Sequence, residues 1–348
     1  MNMVLPSERT NPPRAISRRG LFSLDSPRDG VVTPESDAGF WLRVQHRAMA
    51  CRFEITLSGE DSIFLETARD ALGEVDRVEA RLTVFRDASD LVDLNRRAAR
   101  EPVALDAELL SLLETCRLLS AATEGAFDPT STPLSRCWGF LTRQGRLPAE
   151  TEIEAARACV GMDRVVFDHS AHAVRFSRPG IELNLGGVGK GYALDRVSRI
   201  LMNGGVKHAL VSAGGSSLRA VGGRGAGFRV DLASPARDTP LARLRLRGAS
   251  LGTSGAGIQF VEIEGRRYGH VIDPRTGWPA RGMLSVSVIA DDATIADALS
   301  TAFLVGGEAL ARRYCQTHPN VAVFLTPDTP QAVTLLVGDH PGLRVEAA

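Results

Sequence analysis

The chain has 348 residues, of which 44% are hydrophobic and 24% charged, and Lys plus Arg balance Asp plus Glu at 41 each. That length and apolar content suffice for a proper core, as one large domain or two coupled lobes. The zero net charge supplies no global field for nucleic acid or an anionic membrane, so nucleic acid is excluded from the expected partners and recognition must come from local chemistry.

Residues 1–38 are rich in Pro, Ser, Arg and Asp without periodicity, which predicts a disordered leader. Within it, Ser17-Arg18-Arg19-Gly20-Leu21-Phe22 has the look of a twin-arginine export signal, but Ser23-Leu24-Asp25-Ser26 follows where an apolar stretch is required. The five cysteines, Cys51, Cys116, Cys137, Cys159 and Cys315, are scattered and form no Cys-x-x-Cys pair, so a reducing, cytoplasmic setting is expected. No apolar run approaches bilayer length, and no membrane span is expected.

The folded unit is expected over 39–345. Trp41 to Leu57 reads as strands, and from Ser62 to Leu82 the residues Leu65, Ala68, Leu72, Val75, Val78 and Leu82 recur at helical spacing. A second helix is predicted from Asp106 to Thr123, with Asp106 as N-cap and Gly125 just past the end. Between Val165 and Val211 short strands alternate with a helix opened by a Gly-rich segment. Strands then dominate: Phe228 to Leu232, Ala242 to Leu246, a hairpin from Phe260 to Val271 turned at Glu264-Gly265, and Ser285 to Ile289. Helices from Ala293 to Leu304 and Glu308 to Gln316 and a strand from Val321 to Leu325 close the chain. The mixed order predicts an α+β fold with largely antiparallel sheet and flanking helices.

Four segments carry candidate chemistry. "NLGGVGKGYALD", residues 184–195, sets glycines 186, 187, 189 and 191 around Lys190 at the entry to a helix. Backbone groups there can approach a ligand and the helix N-terminus favours negative charge, which suits a phosphate; a packing-driven strand-to-helix turn explains the segment equally well. In "TIADALSTAF", residues 294–303, Asp297 and Thr301 share a helical face with Ser300 beside them, and could offer hard oxygen ligands to Mg²⁺. The plainer explanation is a solvated Asp and a Thr bonding back to its own helix. "GAFDPTSTPL", residues 125–134, is a rigid turn with hydrogen-bonding groups at Asp128, Thr130 and Ser131. In "YGHVIDPRTGWP", residues 268–279, His270 stands at a strand end beside a tight Asp-Pro-Arg-Thr-Gly turn.

Taken in this order, the segments resemble the ApbE family of FAD:protein FMN transferases, over roughly residues 44–325. "AMACRFEI" is similar to the family's opening strand, implying Met49 as a flavin-site residue, and "FRDASDLVDLNR" to the segment that brings Phe85, Ser89, Asp90 and Asn95 toward the flavin. "GAFDPTSTPL" followed by "CWGF" resembles a flavin-contacting turn, with backbone groups of Ala126 and Phe127 and the side chain of Asp128. The Gly-rich segment implies Lys190 on the pyrophosphate side, Asn184 as a polar contact to the cofactor and the carbonyl of Gly187 on Mg²⁺. "GHVIDPRTGWP" is similar to the family's His-x-x-Asp-Pro-x-Thr-Gly signature, with His270 at the pyrophosphate and Ile272 beside the adenine or ribose. "ADALSTAF" resembles its metal helix, implying Asp297, Ser300 and Thr301. Four places depart from the pattern: Asn184 for the usual Asp, Ser216 for Asp or Asn, Ala256 for Asp or Asn, and Ala50-Cys51 for Gly-Thr.

The resemblance implies a two-lobed fold and a Mg²⁺-dependent transfer of FMN from FAD to a Thr or Ser hydroxyl of an acceptor protein, with release of AMP. His270 would serve as general base. Two other readings stay open: an FAD pyrophosphatase that uses water as acceptor, and a flavin-binding homologue with weakened catalysis.

Overall fold

A computed structural model describes residues 40–142, 144–233, 240–256, 260–329 and 333–346; the leader lies outside the described residues. Strands β1 (Trp41–Ala48) and β2 (Cys51–Ser58) pair antiparallel as the opening hairpin. Met49 and Ala50 turn it with φ of 49° and 57°, the left-handed pair that a tight two-residue hairpin demands. A 3₁₀ turn, Gly59–Phe64, delays the first helix, so α1 spans Leu65–Leu82 and buries Ala68, Leu72, Val75 and Val78 as their spacing predicts.

Helix α2 (Asp90–Arg97) was not foreseen as a helix; Ser89 caps it, its Oγ accepting the Val92 N–H at 3.1 Å. After β3 (Val103–Ala104), α3 (Ala107–Ala122) starts where expected, with the Asp106 carboxylate accepting the Leu109 N–H at 2.9 Å. Then come α4 (Thr132–Cys137), α5 (Glu150–Arg157), β4 (Val165–Asp168), β5 (Ala173–Phe176) and α6 (Gly189–Asn203). The second half runs β6 (Ala209–Ala213), β7 (Ser217–Val221), β8 (Phe228–Leu232), β9 (Ala242–Leu246), β10 (Ser250–Gly255), β11 (Phe260–Ile263) and β12 (Arg266–Gly269). It ends with β13 (Met283–Ala290), α7 (Ala293–Thr317), β14 (Val321–Pro327), β15 (Leu335–Asp339) and β16 (Leu343–Glu346).

The fold is α+β, as predicted. Its centre is an eight-stranded sheet in the order β1-β2-β6-β7-β10-β13-β14-β15, antiparallel at every step. Both faces of this sheet are covered, which is why its inner strands read as continuous apolar runs rather than alternating ones. On β14, Val321, Val323 and Leu325 join the core that includes α7, while Ala322 and Phe324 join the core shared with β8 and β9. The three-stranded sheet β16-β9-β8 supplies that second cover.

Among the described residues α7 is long and apolar enough to cross a membrane by length and composition only, and 61% of its most apolar window is buried inside the protein. Its apolar surface is spent inside the protein: it packs on β10 and β13, with Leu299, Ala302 and Phe303 fully buried. Gly307, at φ 67° and ψ −165°, interrupts it between the two helices the sequence predicts.

Candidate active site

Helices α6 and α7 meet at their N-terminal turns, and glycine makes the meeting possible. A Cβ on Gly191 would lie 2.1 Å from the Ala293 carbonyl oxygen, so no larger residue permits this approach. Each helix then caps the other. Asp195 of α6 accepts the N–H groups of Ala293 and Thr294 at 2.9 and 2.8 Å and the Thr294 hydroxyl at 2.6 Å. Asp297 of α7 accepts the Gly191 N–H at 3.1 Å. Burial pushes the Asp195 carboxyl up, against the hydrogen bonds from Thr294 and Ala293. Asp195 closes the Gly-rich segment but was missed as a working residue; its position one helical turn after Gly191 was the available signal.

Lys190 and Asp297 are brought together here. The Lys190 Nζ donates to the Ser216 Oγ at 2.6 Å and stands 3.8 Å from Asp297 Oδ1, which also accepts the Ser217 hydroxyl at 3.0 Å. Asp297 is only 4% exposed. Ser216 lies in a turn whose Gly214 and Gly215 have φ of 59° and 69°, and Gly214 donates its N–H to the Arg52 carbonyl at 2.8 Å. A Cβ on Gly214 would fall 3.0 Å from the Cys51 Cβ, so the hairpin carrying Met49 lies alongside the same turn.

The hydroxyls in the first turns of α7 form a chain with Ser254. Ser300 Oγ donates to the Asp297 carbonyl at 2.8 Å and lies 2.8 Å from Ser254 Oγ, which is 3.2 Å from Thr301 Oγ1. Ser300 is fully buried. β10 reaches this helix because Gly252 has no side chain: a Cβ there would sit 2.6 Å from the Ala296 backbone. Gly187 joins the group, since a Cβ on it would be 3.8 Å from Thr301 Oγ1 and 3.4 Å from the Phe127 ring. Ser254 and Ser217 were not singled out from sequence, because a lone serine on a strand carries no local signature.

The residues of the 125–134 turn and of the segments expected beside it are placed differently from one another. Ala126 and Phe127 are buried, with their N–H groups donating to the Thr123 carbonyl and hydroxyl at 2.9 and 3.3 Å. The Asp128 carboxylate accepts from Thr130 N and Oγ1 at 2.8 and 2.5 Å and from Met162 N at 3.0 Å. Burial pushes its pKa up while those bonds oppose the shift. Asp128 therefore ties its own turn to the chain around Met162. Asn184 Oδ1 accepts the Gly186 N–H at 2.9 Å, and its own N–H donates to the Pro129 carbonyl at 2.8 Å, which joins the two segments. Asn95 clamps Leu183 through two hydrogen bonds of 2.8 and 2.9 Å. Phe85 projects outward, 78% exposed.

His270 follows the last residue of β12, as the sequence predicts. The turn after it is fixed from three sides. Gly277, at φ 78°, donates its N–H to the Asp273 carbonyl at 2.8 Å; Trp138 Nε1 donates to the Gly277 carbonyl at 2.9 Å; and the Arg275 stem lies over Gly125. Ile272 is buried in the small core with Trp138, Tyr268 and Leu134. Gly269 abuts the Ala256 carbonyl, two residues beyond Ser254, which brings the strand end of His270 to the same edge of β10.

Among the described residues no group of three or more His, Cys, Asp and Glu side chains gathers as a metal cluster. The donors offered are all oxygens: the Asp297 carboxylate, the Thr301 hydroxyl and the neighbouring Gly187 backbone. Such a set fits Mg²⁺, which prefers few protein oxygens and completes its shell with water and phosphate. Residues 49–325 match the ApbE family along this whole arrangement.

The chain belongs to the ApbE family. It is 31% identical to the FAD:protein FMN transferase of Salmonella typhimurium, over 76% of this chain and 81% of that protein. It is 28% identical to one from Klebsiella pneumoniae, over 92% and 96% of the two chains. Among solved structures, the ApbE protein of Thermotoga maritima superposes with a TM-score of 0.78 at 30% identity, covering 86% of this chain and 97% of that one. The apo flavinyl transferase ApbE of Pseudomonas stutzeri gives a TM-score of 0.72 at 28% identity, covering 86% and 95%. In this ApbE member Ser216 stands against Lys190.

Proposed function

We propose that this ApbE protein is an FAD:protein FMN transferase, moving FMN from FAD to a Thr or Ser hydroxyl of an acceptor protein and releasing AMP. The reading rests on family membership, on relatives of that name, and above all on Lys190 held between Ser216 and Asp297 beside the oxygen-rich end of α7. Phosphoryl transfer of this kind needs charge stabilisation and alignment more than covalent chemistry. Lys190 offsets charge on the pyrophosphate, the new bond joins the acceptor oxygen to the FMN phosphorus, and the pyrophosphate bond to AMP breaks. His270, as a neutral imidazole, takes the acceptor proton. Mg²⁺, when held by Asp297, Thr301 and the Gly187 carbonyl, supplies further neutralisation of the phosphates.

The test is to incubate the protein with FAD and Mg²⁺, with and without an acceptor peptide, and separate the products. Peptide-bound flavin with matching AMP is expected. Free FMN in both tubes would make the protein a pyrophosphatase instead, and intact bound FAD would make it a flavin binder. His270→Ala is expected to lower transfer about 100-fold or more with FAD still bound; full transfer by that variant would remove the base role. For the compartment we propose the cytoplasm, on the strength of the scattered cysteines in the sequence, which form no Cys-x-x-Cys pair, to be checked by cell fractionation.

A further inference from the structure

We infer that Ser254 is a positioning residue that aims the oxygen of Thr301 at a divalent cation. The inference rests on the reading of Asp297 and Thr301 as cation ligands, and it follows from counting hydrogens along the hydroxyl chain. A backbone carbonyl can only accept, so the 2.8 Å contact between Ser300 Oγ and the Asp297 carbonyl uses the single hydrogen of Ser300. Ser300 is fully buried and has no solvent to turn to. The 2.8 Å contact between Ser254 and Ser300 must then be donated by Ser254. With its own hydrogen committed, Ser254 can only accept across the 3.2 Å contact, and Thr301 becomes the donor there. The alternative acceptor for Thr301, the Asp297 carbonyl, is farther at 3.5 Å and already engaged by Ser300.

The consequence is electrostatic. A hydroxyl whose hydrogen is held on one side presents only lone pairs on the other, the state in which it binds a cation best. Without Ser254 only the longer contact to the Asp297 carbonyl, at 3.5 Å, holds the Thr301 hydrogen back from the cation position. Outer partners of metal ligands typically contribute 10- to 100-fold in metal affinity. Ser254 itself comes from β10, at the strand end that Gly252 allows to approach α7, so the device depends on that close packing.

The experiment compares Ser254→Val with Ser254→Thr, which are nearly isosteric and differ in the hydroxyl, so any packing strain is common to both. Mn²⁺ serves as the probe, its binding read from loss of the free-ion electron paramagnetic resonance signal, with Asp297→Asn as a control for adventitious sites. FAD affinity is measured separately in chelator by flavin fluorescence. The expected result is that Val weakens Mn²⁺ binding about 10-fold, Thr stays within about 3-fold of the wild type, and FAD affinity in chelator is the same for all three. Equal Mn²⁺ binding by Val and Thr would overturn the role of Ser254 while leaving the cation site standing. A wild type that binds Mn²⁺ no better than Asp297→Asn would overturn both.

Discussion

Lys190 reaches its place by a route that no single residue encodes. Gly191 lets α6 touch α7, that contact puts Asp297 beside the lysine, and Ser216 takes the lysine from the other side at 2.6 Å. Ser216→Ala should leave Lys190 with the Asp297 pairing alone and lower AMP release only about 10-fold, whereas Lys190→Met removes the charge and should cost about 100-fold or more. A steady-state assay of AMP from FAD separates the two. Gly191→Ala tests the scaffold rather than the chemistry: a methyl group 2.1 Å from a backbone oxygen must push the helices apart, and urea denaturation should show a loss of about 3 kcal/mol or more.

The elements hold one another through charge as well as packing. Asp195 performs the capping that Asp292, the residue at the N-cap position of α7, does not make with its own side chain. Asp195→Ala should therefore leave two buried N–H groups without acceptors and cost about 2 kcal/mol in denaturant titration. Helices α1, α3 and α6 are linked by a network in which Arg77 and Arg196 both hold Glu74, and Arg196 also reaches Glu108 at 2.6 Å. The hydrogen bond from Arg77, with Arg196 adding to it against the cost of burial, holds Glu74 below the ordinary carboxylate value of 4.5. A depressed carboxylate contributes stability above its unfolded pKa and loses it as pH falls through the folded one. Glu74→Gln should thus be less stable than the wild type at pH 7. The gap should narrow steadily below about pH 4. Thermal melts across that range would show it, and a gap independent of pH would mean that the pairing contributes nothing.

At the scale of the whole molecule, the long helix α7 joins the core to the site. Its apolar side carries Phe303, fully buried and edge-on to Tyr314 at 5.5 Å, while its polar first turns carry Asp297 and Thr301. Phe303→Ala should cost about 3 to 5 kcal/mol of stability, measured by denaturant unfolding. The same dual use explains why α7 passes for a membrane-spanning segment by composition: a helix buried against β10 and β13 needs apolar residues around much of its circumference.

Local physics made much of this legible in the sequence. The heptad-like spacing of α1, the Asp106 cap, the Glu264-Gly265 hairpin turn and the strand end before His270 all depend on neighbours in the chain, and each stands where the residues predict. Helix α2 was missed because its eight residues bury only Leu91 and Leu94, too few to show a period. The order of motifs likewise points to the ApbE family. The reciprocal capping by Asp195 and Asp297, the inward use of Asp128, the burial of Ser300 and the bridge through Ser254 were decided only by tertiary structure. A hydrogen bond across 46 or 106 residues leaves no periodicity behind, and a hydroxyl's role is set by which acceptor the fold brings within 3 Å of it.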